Sequence, residues 1–454
     1  MTNNEKEQVT RVAVREEGRR SRRGWRDCKI GRDIKFDTTG LESYCYSNWK
    51  PVIFDTLLLA AAIDFCDRIK KRPAHGWGRE FDLLIPVDDP DRWSGKVSES
   101  LIEVLTFLTG DRWHINFHRR KSPVSLPYQR NFEMPNPSAA ILPFSDGLDS
   151  LAVSALIQNL PGTSLLHVRL GSGMRNGTHV TEASQPFATV PYAVRQGDYR
   201  FYEPSARSRG FKFMLLSGVA AYLTKASEIV IPESGQGALG PVLVPVGHAY
   251  PDYRNHPRFA EKMAEFLTIL LGHKIHFSFP RIWYTKGETL KEYAELPAHG
   301  WVDTRSCWQQ SRQVSINGHR RQCGICAACM LRRMSVHAAG LTERPETYIW
   351  EDLSAENFEE GAALGFTLMT PAFREYAVAG TLHLDHLATL VDSPKRAKSV
   401  RREAIQIAPA LRLSSQESET KLCRMLGRHT REWESFVKSL GTNSFVAKWT
   451  VSEK

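Results

Sequence analysis

Four of the chain's eight cysteines crowd into one stretch. Cys323-Gly-Ile-Cys326-Ala-Ala-Cys329 sets three thiols at intervals of three, and Cys307 lies sixteen residues upstream. Short C-x-x-C loops pinch a metal ion while a distant cysteine closes the cage, so four thiolates in this pattern suit tetrahedral Zn2+. A [4Fe–4S] cluster uses a similar triplet, and unmetallated buried thiols are a third reading. A closed four-cysteine site leaves no open coordination position, so its expected role is structural. The remaining cysteines, Cys28, Cys45, Cys66 and Cys423, are scattered, which argues against a disulfide framework. The first residues, Met1 to Gln8, are polar and lack the apolar core of a secretory signal, so a cytoplasmic location is expected.

At 454 residues the chain exceeds one ordinary core, and about 100 to 200 residues per domain suggests two or three. Hydrophobic residues make up 42% and charged residues 24%, and no apolar run is long enough to cross a bilayer. Net charge is +10, which suits anionic ligands such as ATP, nucleic acid or an acidic partner without choosing among them. Residues 1–29 hold Arg11, Arg15, Arg19, Arg20, Arg22, Arg23, Arg26 and Lys29. They read as a frayed basic arm, with contact to RNA or an acidic partner as the alternative. Residues 30–122 read as a small α+β domain, with helices at 54–69 and 99–109 and strands at 81–87 and 113–119. Pro123, Pro127, Pro135 and Pro137 mark a linker over 123–137.

From 138 onward strands and helices alternate: a strand at 138–144, a helix at 148–159, a strand at 164–170, a helix at 211–226 and a strand at 228–232. Phe259, Met263, Phe266, Leu267 and Leu270 then form one helical face before a strand at 274–279. Repeated strand–helix units predict a parallel sheet with helices on both faces, so the fold class is α/β. Ligands in such folds bind at the carboxyl ends of the strands, where strand order reverses. Residues 341–454 read as mainly helical, with Trp350, Trp433 and Trp449 available for packing.

The segment Ile141-Leu142-Pro143-Phe144-Ser145-Asp146-Gly147-Leu148-Asp149-Ser150 has the order strand, tight turn, helix. Unpaired N–H groups and the helix dipole favour an anionic phosphate there. Ser145 and Ser150 add hydroxyls, Gly147 permits close backbone approach, and Asp149 can hold Mg2+ or orient the loop. The competing reading is a simple helix cap at Asp149 or Ser150.

These residues resemble the SGGxDS loop of the PP-loop ATP pyrophosphatases, with Asp146 where that family usually has a second glycine. The resemblance implies a PP-loop, HUP-type nucleotide-binding fold in which Ser145, Asp146, Gly147, Leu148, Asp149 and Ser150 hold ATP. With the cysteines it narrows to the 7-cyano-7-deazaguanine synthase family, QueC, whose zinc knot has the form C…CGxCxxCxxR. Cys307, Cys323, Gly324, Cys326, Cys329 and Arg332 match it in order. Tyr250-Pro251-Asp252-Tyr253-Arg254 resembles the family's YPDCR segment, and Thr285-Lys286-Gly287-Glu288 its TK-x-E segment.

The similarity spans about 138–340 and implies a PP-loop domain with a zinc knot. Ser145, Asp149, Ser150 and Lys286 would be catalytic, Tyr250, Asp252 and Arg254 would bind substrate, and Cys307, Cys323, Cys326 and Cys329 would hold zinc. Arg169 to Arg175 stands where the family has a YGQRH-like segment, and Glu233 to Gly237 where it has asparagine and aspartate. Enlarged QueC-like proteins of this kind look similar to those in bacterial anti-phage gene sets, including the Qat system.

The implied activity is adenylation of a 7-carboxy-7-deazaguanine-type carboxylate with ATP and Mg2+, followed by capture with ammonia or an amine of a partner protein. A tRNA-modifying PP-loop enzyme and a catalytically degenerate deazaguanine- or partner-binding module are the alternatives. Arg207 and Arg209 are candidates for facing ATP or the substrate carboxylate, with a plain surface position as the alternative. His383-Leu384-Asp385-His386 has metal-ligand spacing but reads better as a packed helix. His319, Arg320, Arg321, Arg332 and Arg333 form a basic cluster that is either solvated or touches nucleic acid.

Overall fold

The basic start of the chain buries Val12, Ala13 and Val14 in succession between Arg11 and Arg15, which is the pattern of a central strand covered on both faces. The computed structural model describes residues 9–37, 50–73, 77–122, 139–145, 147–169, 190, 192–203, 207–246, 250–297, 300–309, 314–316, 318–391 and 394–450. In chain order the strands are β1 (Thr10–Arg15), β2 (Arg26–Lys29), β3 (Ile34–Phe36), β4 (Glu80–Val87), β5 (Arg112–Arg119), β6 (Ala139–Pro143), β7 (Ser164–Val168), β8 (Tyr192–Val194), β9 (Glu228–Val230), β10 (His276–Ser278), β11 (Ser315–Ile316) and β12 (His319–Arg320). The helices are α1 (Pro51–Ile69), α2 (Lys96–Thr109), α3 (Leu148–Gln158), α4 (Arg209–Thr224), α5 (Gly235–Ala238), α6 (Gly240–Leu243), α7 (Pro257–Leu271), α8 (Lys286–Ala294), α9 (Ala327–Ala338), α10 (Pro371–Ala388), α11 (Pro394–Ile407), α12 (Ser415–Leu440) and α13 (Phe445–Trp449).

The chain divides into two compact units. The first comprises Met1–Phe144, Pro161–Ile231 and Asp252–Ser278, the second Ser145–Leu160, Pro232–Pro251 and Phe279–Lys454. The first unit carries two four-stranded parallel sheets, ordered β2-β1-β4-β5 and β10-β9-β6-β7. Parallel sheets with helices on both faces are what the alternation of elements predicts.

Two expectations need correction. Residues 10–15 and 26–29 are not a solvated arm: β1 pairs with both β2 and β4, and Arg15 is tied to Ser21 and Asp27. The arginines flank buried valines, and charge alone hid a strand. The N-terminal sheet is also parallel throughout, so this region is α/β and not α+β. Helix α1 precedes β4 and helix α2 joins β4 to β5, while β1 and β2 are joined by a non-helical segment, and the element types alone did not distinguish this from a segregated arrangement.

Helix α2 buries Val97, Leu101, Val104, Leu105 and Leu108 and ends at Gly110, whose φ of 70° suits a glycine C-cap. Helices α4 and α7 approach closely because a Cβ at Gly218 would meet Leu267 side-chain carbons at 2.6 Å. In the second sheet, β6 lies between β7, which follows it, and β9, which the chain reaches only afterwards. Strand order therefore reverses at β6, and the segment leaving its carboxyl end is Phe144-Ser145.

The second unit is mostly helical, so residues 341–454 are as expected. Its largest core gathers Trp350, Phe358, Phe373, Trp433, Phe436 and Phe445 around Cys323, Cys326 and Cys329. A second core joins Leu148 and Ala152 of α3 to Leu290 and Tyr293 of α8 and Val336 of α9. Capping boxes start α8 (Thr285 with Glu288) and α12 (Ser414 with Glu417). Among the described residues, no helix is long and apolar enough to cross a membrane. Asp146, the 123–137 linker and the stretch 170–175 lie outside the described residues.

Candidate functional site

The loop between β6 and α3 is organised by two serines. Ser145 Oγ lies 3.1 Å from Ser150 Oγ and accepts the Gly147 N–H at 3.2 Å. Ser150 Oγ lies 2.6 Å from the Ser145 carbonyl and accepts the Ser145 N–H at 3.3 Å. Gly147 is the N-cap of α3 and supplies no side-chain cap. Among the described residues, none accepts a hydrogen bond from the N–H of Leu148, Asp149 or Ser150. The first turn of an eleven-residue helix therefore presents open donors at its positive end. Leu148 contributes only its N–H here, because its side chain is buried in the core with Leu290 and Tyr293. A Cβ at Gly147 would come within 2.9 Å of Ser145 Oγ and 3.5 Å of the Arg305 carbonyl, so glycine keeps the loop closed on itself.

Lys286, the first residue of α8, reaches this loop and pairs with Asp149. Its side chain is buried. Burial alone would depress its pKa, but Asp149 and Glu233 hold the ammonium above its ordinary value. Thr285 caps the helix by accepting the Glu288 N–H at 3.0 Å, and the Lys286 N–H donates to Gln236 Oε1 at 2.7 Å. Ser145, Gly147, Asp149, Ser150 and Lys286 thus form one cluster within the second unit, with Glu233 acting on its lysine.

Asp252 and Arg254 meet in the first unit, and Tyr250 belongs to the second. Arg254 Nε lies 2.9 Å from both Asp252 oxygens, and Arg207 Nη1 lies 3.3 Å from Oδ1. Burial would raise the Asp252 carboxyl, but Arg254 and Arg207 carry it far below the usual range. A Cβ at Gly210 would strike the Arg254 carbonyl at 2.8 Å, so α4 begins pressed against this pair. Arg207 is buried and not on the surface, while Arg209 is exposed.

The four cysteines converge. Their sulfurs all lie within 4.8 Å of one another, and Cys323 Sγ is 3.8 Å from Cys329 Sγ. Zn–S bonds of about 2.3 Å give a tetrahedral edge of about 3.8 Å, so the cage fits one ion. A four-iron cluster binds each thiolate at a different corner and would hold the sulfurs further apart. Cys307 Sγ accepts the Cys323 N–H at 3.2 Å, and Cys323 Sγ the Cys326 N–H at 3.3 Å. Hydrogen bonds from Cys323, Cys326 and Cys329 hold the Cys307 thiol far below its ordinary value, while burial pushes Cys323 and Cys329 up.

Residues 244–340 match the family model described as QueC, Queuosine biosynthesis protein QueC. The match covers about a fifth of the 454-residue chain. It supports a QueC-like enzyme of the ATP-dependent ligase or synthase kind, and it includes the Tyr250, Lys286 and cysteine segments but not the Ser145 to Ser150 loop. No curated protein and no solved structure matches the chain.

Within the QueC-like segment, the arginines around the cysteines serve the fold. Arg332 binds Glu343 and the Thr304 carbonyl, Arg333 the Trp350 and Glu351 carbonyls, and Arg321 the Tyr348 carbonyl and Glu351. These three are engaged internally and leave only His319 and Arg320 exposed. His383 and Asp385 are likewise packing residues, bound to the Val244 carbonyl and the Trp433 indole.

Sequence reasoning missed Gln236, His429 and Glu432. The T-x-x-E capping box at 285–288 was readable as a helix start. The partners on α12 leave no local signal.

Proposed function

We propose that the chain is a QueC-like ATP-dependent enzyme that adenylates a 7-carboxy-7-deazaguanine-type carboxylate and transfers the acyl group to a nitrogen nucleophile. The observation that carries this reading is the pairing of open N–H groups at Leu148, Asp149 and Ser150 with the buried Lys286 ammonium beside them. The β- and γ-phosphates of ATP lie against those N–H groups and the Ser145 and Ser150 hydroxyls. A substrate carboxylate oxygen attacks the α-phosphorus, the bond to the bridging oxygen breaks, and pyrophosphate leaves with the electron pair. The N–H groups and Lys286 stabilise the charge that develops on that leaving group. Asp149 would be the residue to hold Mg2+, giving up its contact with Lys286 to do so.

The nitrogen nucleophile then attacks the acyl carbon and AMP departs. Ammonia gives an amide, which a second ATP dehydrates to the nitrile, whereas an amine of a partner protein gives a stable amide. The N-terminal sheet and the helical region beyond 340 supply surface for such a partner, in keeping with a role in anti-phage defence. The cysteine cage holds zinc and fixes the segment from Thr304 to Cys307, whose Arg305 carbonyl faces Gly147. Exchange of labelled pyrophosphate into ATP, measured without any nucleophile, tests the first half-reaction: exchange that requires the acid supports adenylation, and exchange absent with every deazaguanine acid overturns it.

A further inference from the structure

Helix α12 lies wholly beyond the QueC-like segment, yet it meets the start of α8 at two points within the second unit. At the first, His429 Nε2 lies 2.8 Å from the Leu384 carbonyl and His429 Nδ1 lies 2.8 Å from Gln236 Nε2. Gln236 Oε1 accepts the N–H of Lys286. Each direction is forced: the backbone N–H of Lys286 only donates, so Gln236 turns its NH2 to His429, whose Nδ1 must accept and whose Nε2–H must donate to a carbonyl. At the second point, the Thr285 hydroxyl donates to Glu432 Oε1 while accepting the Glu288 N–H. Gly287 leaves room for this approach, since a Cβ there would meet Glu432 Oε1 at 2.9 Å. Gly235 likewise permits close packing nearby, where a Cβ would strike the Ile282 carbonyl at 2.3 Å and Met425 at 3.0 Å.

We infer that His429 and Glu432 of α12 are positioning residues that set the first turn of α8, and through it the Lys286 ammonium, against the phosphate loop. The inference rests on the reading of that loop as the ATP site. It makes the C-terminal helical region belong to the working enzyme, because one end of Lys286 is fixed by Asp149 and the other by a hydrogen-bond chain anchored on α12. Glu432 also gives the arrangement a titratable element. Burial pushes its carboxyl up to about 7 and Glu288 adds repulsion, while the Thr285 hydroxyl, the Gln236 amide and Arg428 oppose the shift. Arg428 is itself paired with Glu288. Above neutral pH the ionised carboxylate is the stronger acceptor for Thr285, and below it the bond weakens.

The test compares the wild-type chain with Glu432→Ala and Glu432→Gln. Hydrogen–deuterium exchange of the peptide spanning 284–290 reads the positioning directly: Glu432→Ala raises exchange there at least 10-fold, and Glu432→Gln, which keeps an acceptor, raises it less. AMP formation reads the consequence. Glu432→Ala lowers kcat about 10-fold with less than a 3-fold change in KM for ATP, Glu432→Gln recovers some of the lost kcat, and a limb near pH 7 in the wild-type rate profile is missing from Glu432→Gln. Unchanged exchange at 284–290 in a folded Glu432→Ala protein overturns the inference, as does a kcat loss that only follows the unfolded fraction. Raised exchange in a protein whose wild type forms no AMP leaves the positioning in place and removes the proposed reaction instead.

Discussion

Gln236 and His429 are 193 residues apart in the chain and 2.8 Å apart in the fold. Because Gln236 also holds the Lys286 N–H, the state of one buried imidazole bears on the residue nearest the phosphate loop. Burial lowers the His429 pKa to about 4. Its folded value therefore lies below that of a free histidine, so its contribution to stability is complete above about pH 6.5 and is lost as pH falls toward 4. Urea unfolding across this window is expected to show wild type losing on the order of 2 to 3 kcal/mol more than His429→Phe. At pH 7.5 that variant is less stable by about 2 kcal/mol, because the Gln236 amide and Leu384 carbonyl lose partners. Equal pH slopes for the two proteins would contradict this.

Lys286 and Asp149 form a largely buried pair. Lys286→Met keeps the stem and strands the carboxylate, at an expected cost on the order of 2 to 4 kcal/mol by chemical unfolding. Turnover falls about 100-fold or more, since the ammonium acts where charge develops. A variant with wild-type AMP release would remove Lys286 from the reaction.

Gly147→Ala places a methyl 2.9 Å from Ser145 Oγ. The serine must rotate away and give up its contact with Ser150, so kcat/KM for ATP is expected to fall about 10-fold, a barrier change of ~1.4 kcal/mol, with the overall thermal midpoint little moved. Steady-state kinetics and a thermal melt on the same sample separate the two effects.

The four cysteine sulfurs make one cage. Elemental analysis is expected to find one zinc per chain, and Cys326→Ser to lower that occupancy sharply. Strong chelators destabilise the wild type, because metal binding is coupled to folding. Iron with visible absorbance in place of zinc would contradict the single-ion geometry.

Much of this was legible in sequence because it rests on local patterns. The order of strand, glycine turn and helix at 141–150 and the cysteine spacing are short-range features, and both survive in the fold. The basic run at 11–29 misled because charge flanking the buried residues of β1 and β2 reads the same as charge on a solvated tail. Only the burial of Val12, Val14 and Cys28 separates them. Parallel pairing in the first sheet was hidden because a strand carries no mark of its neighbour's direction. His429 and Glu432 were invisible for a different reason: a histidine and a glutamate on a long amphipathic helix look solvated until the helix is packed against the start of α8.

The central claim is carboxylate activation at the Ser145 to Ser150 loop. It is tested most directly by incubating the purified chain with ATP, Mg2+ and 7-carboxy-7-deazaguanine, with and without ammonia, and analysing the products by mass spectrometry. The expected result is AMP and pyrophosphate in equal amounts, formed only with the acid, together with the amide or nitrile when ammonia is present. ADP and phosphate in place of AMP, or no nucleotide cleavage with ammonia or any amine donor, would contradict it.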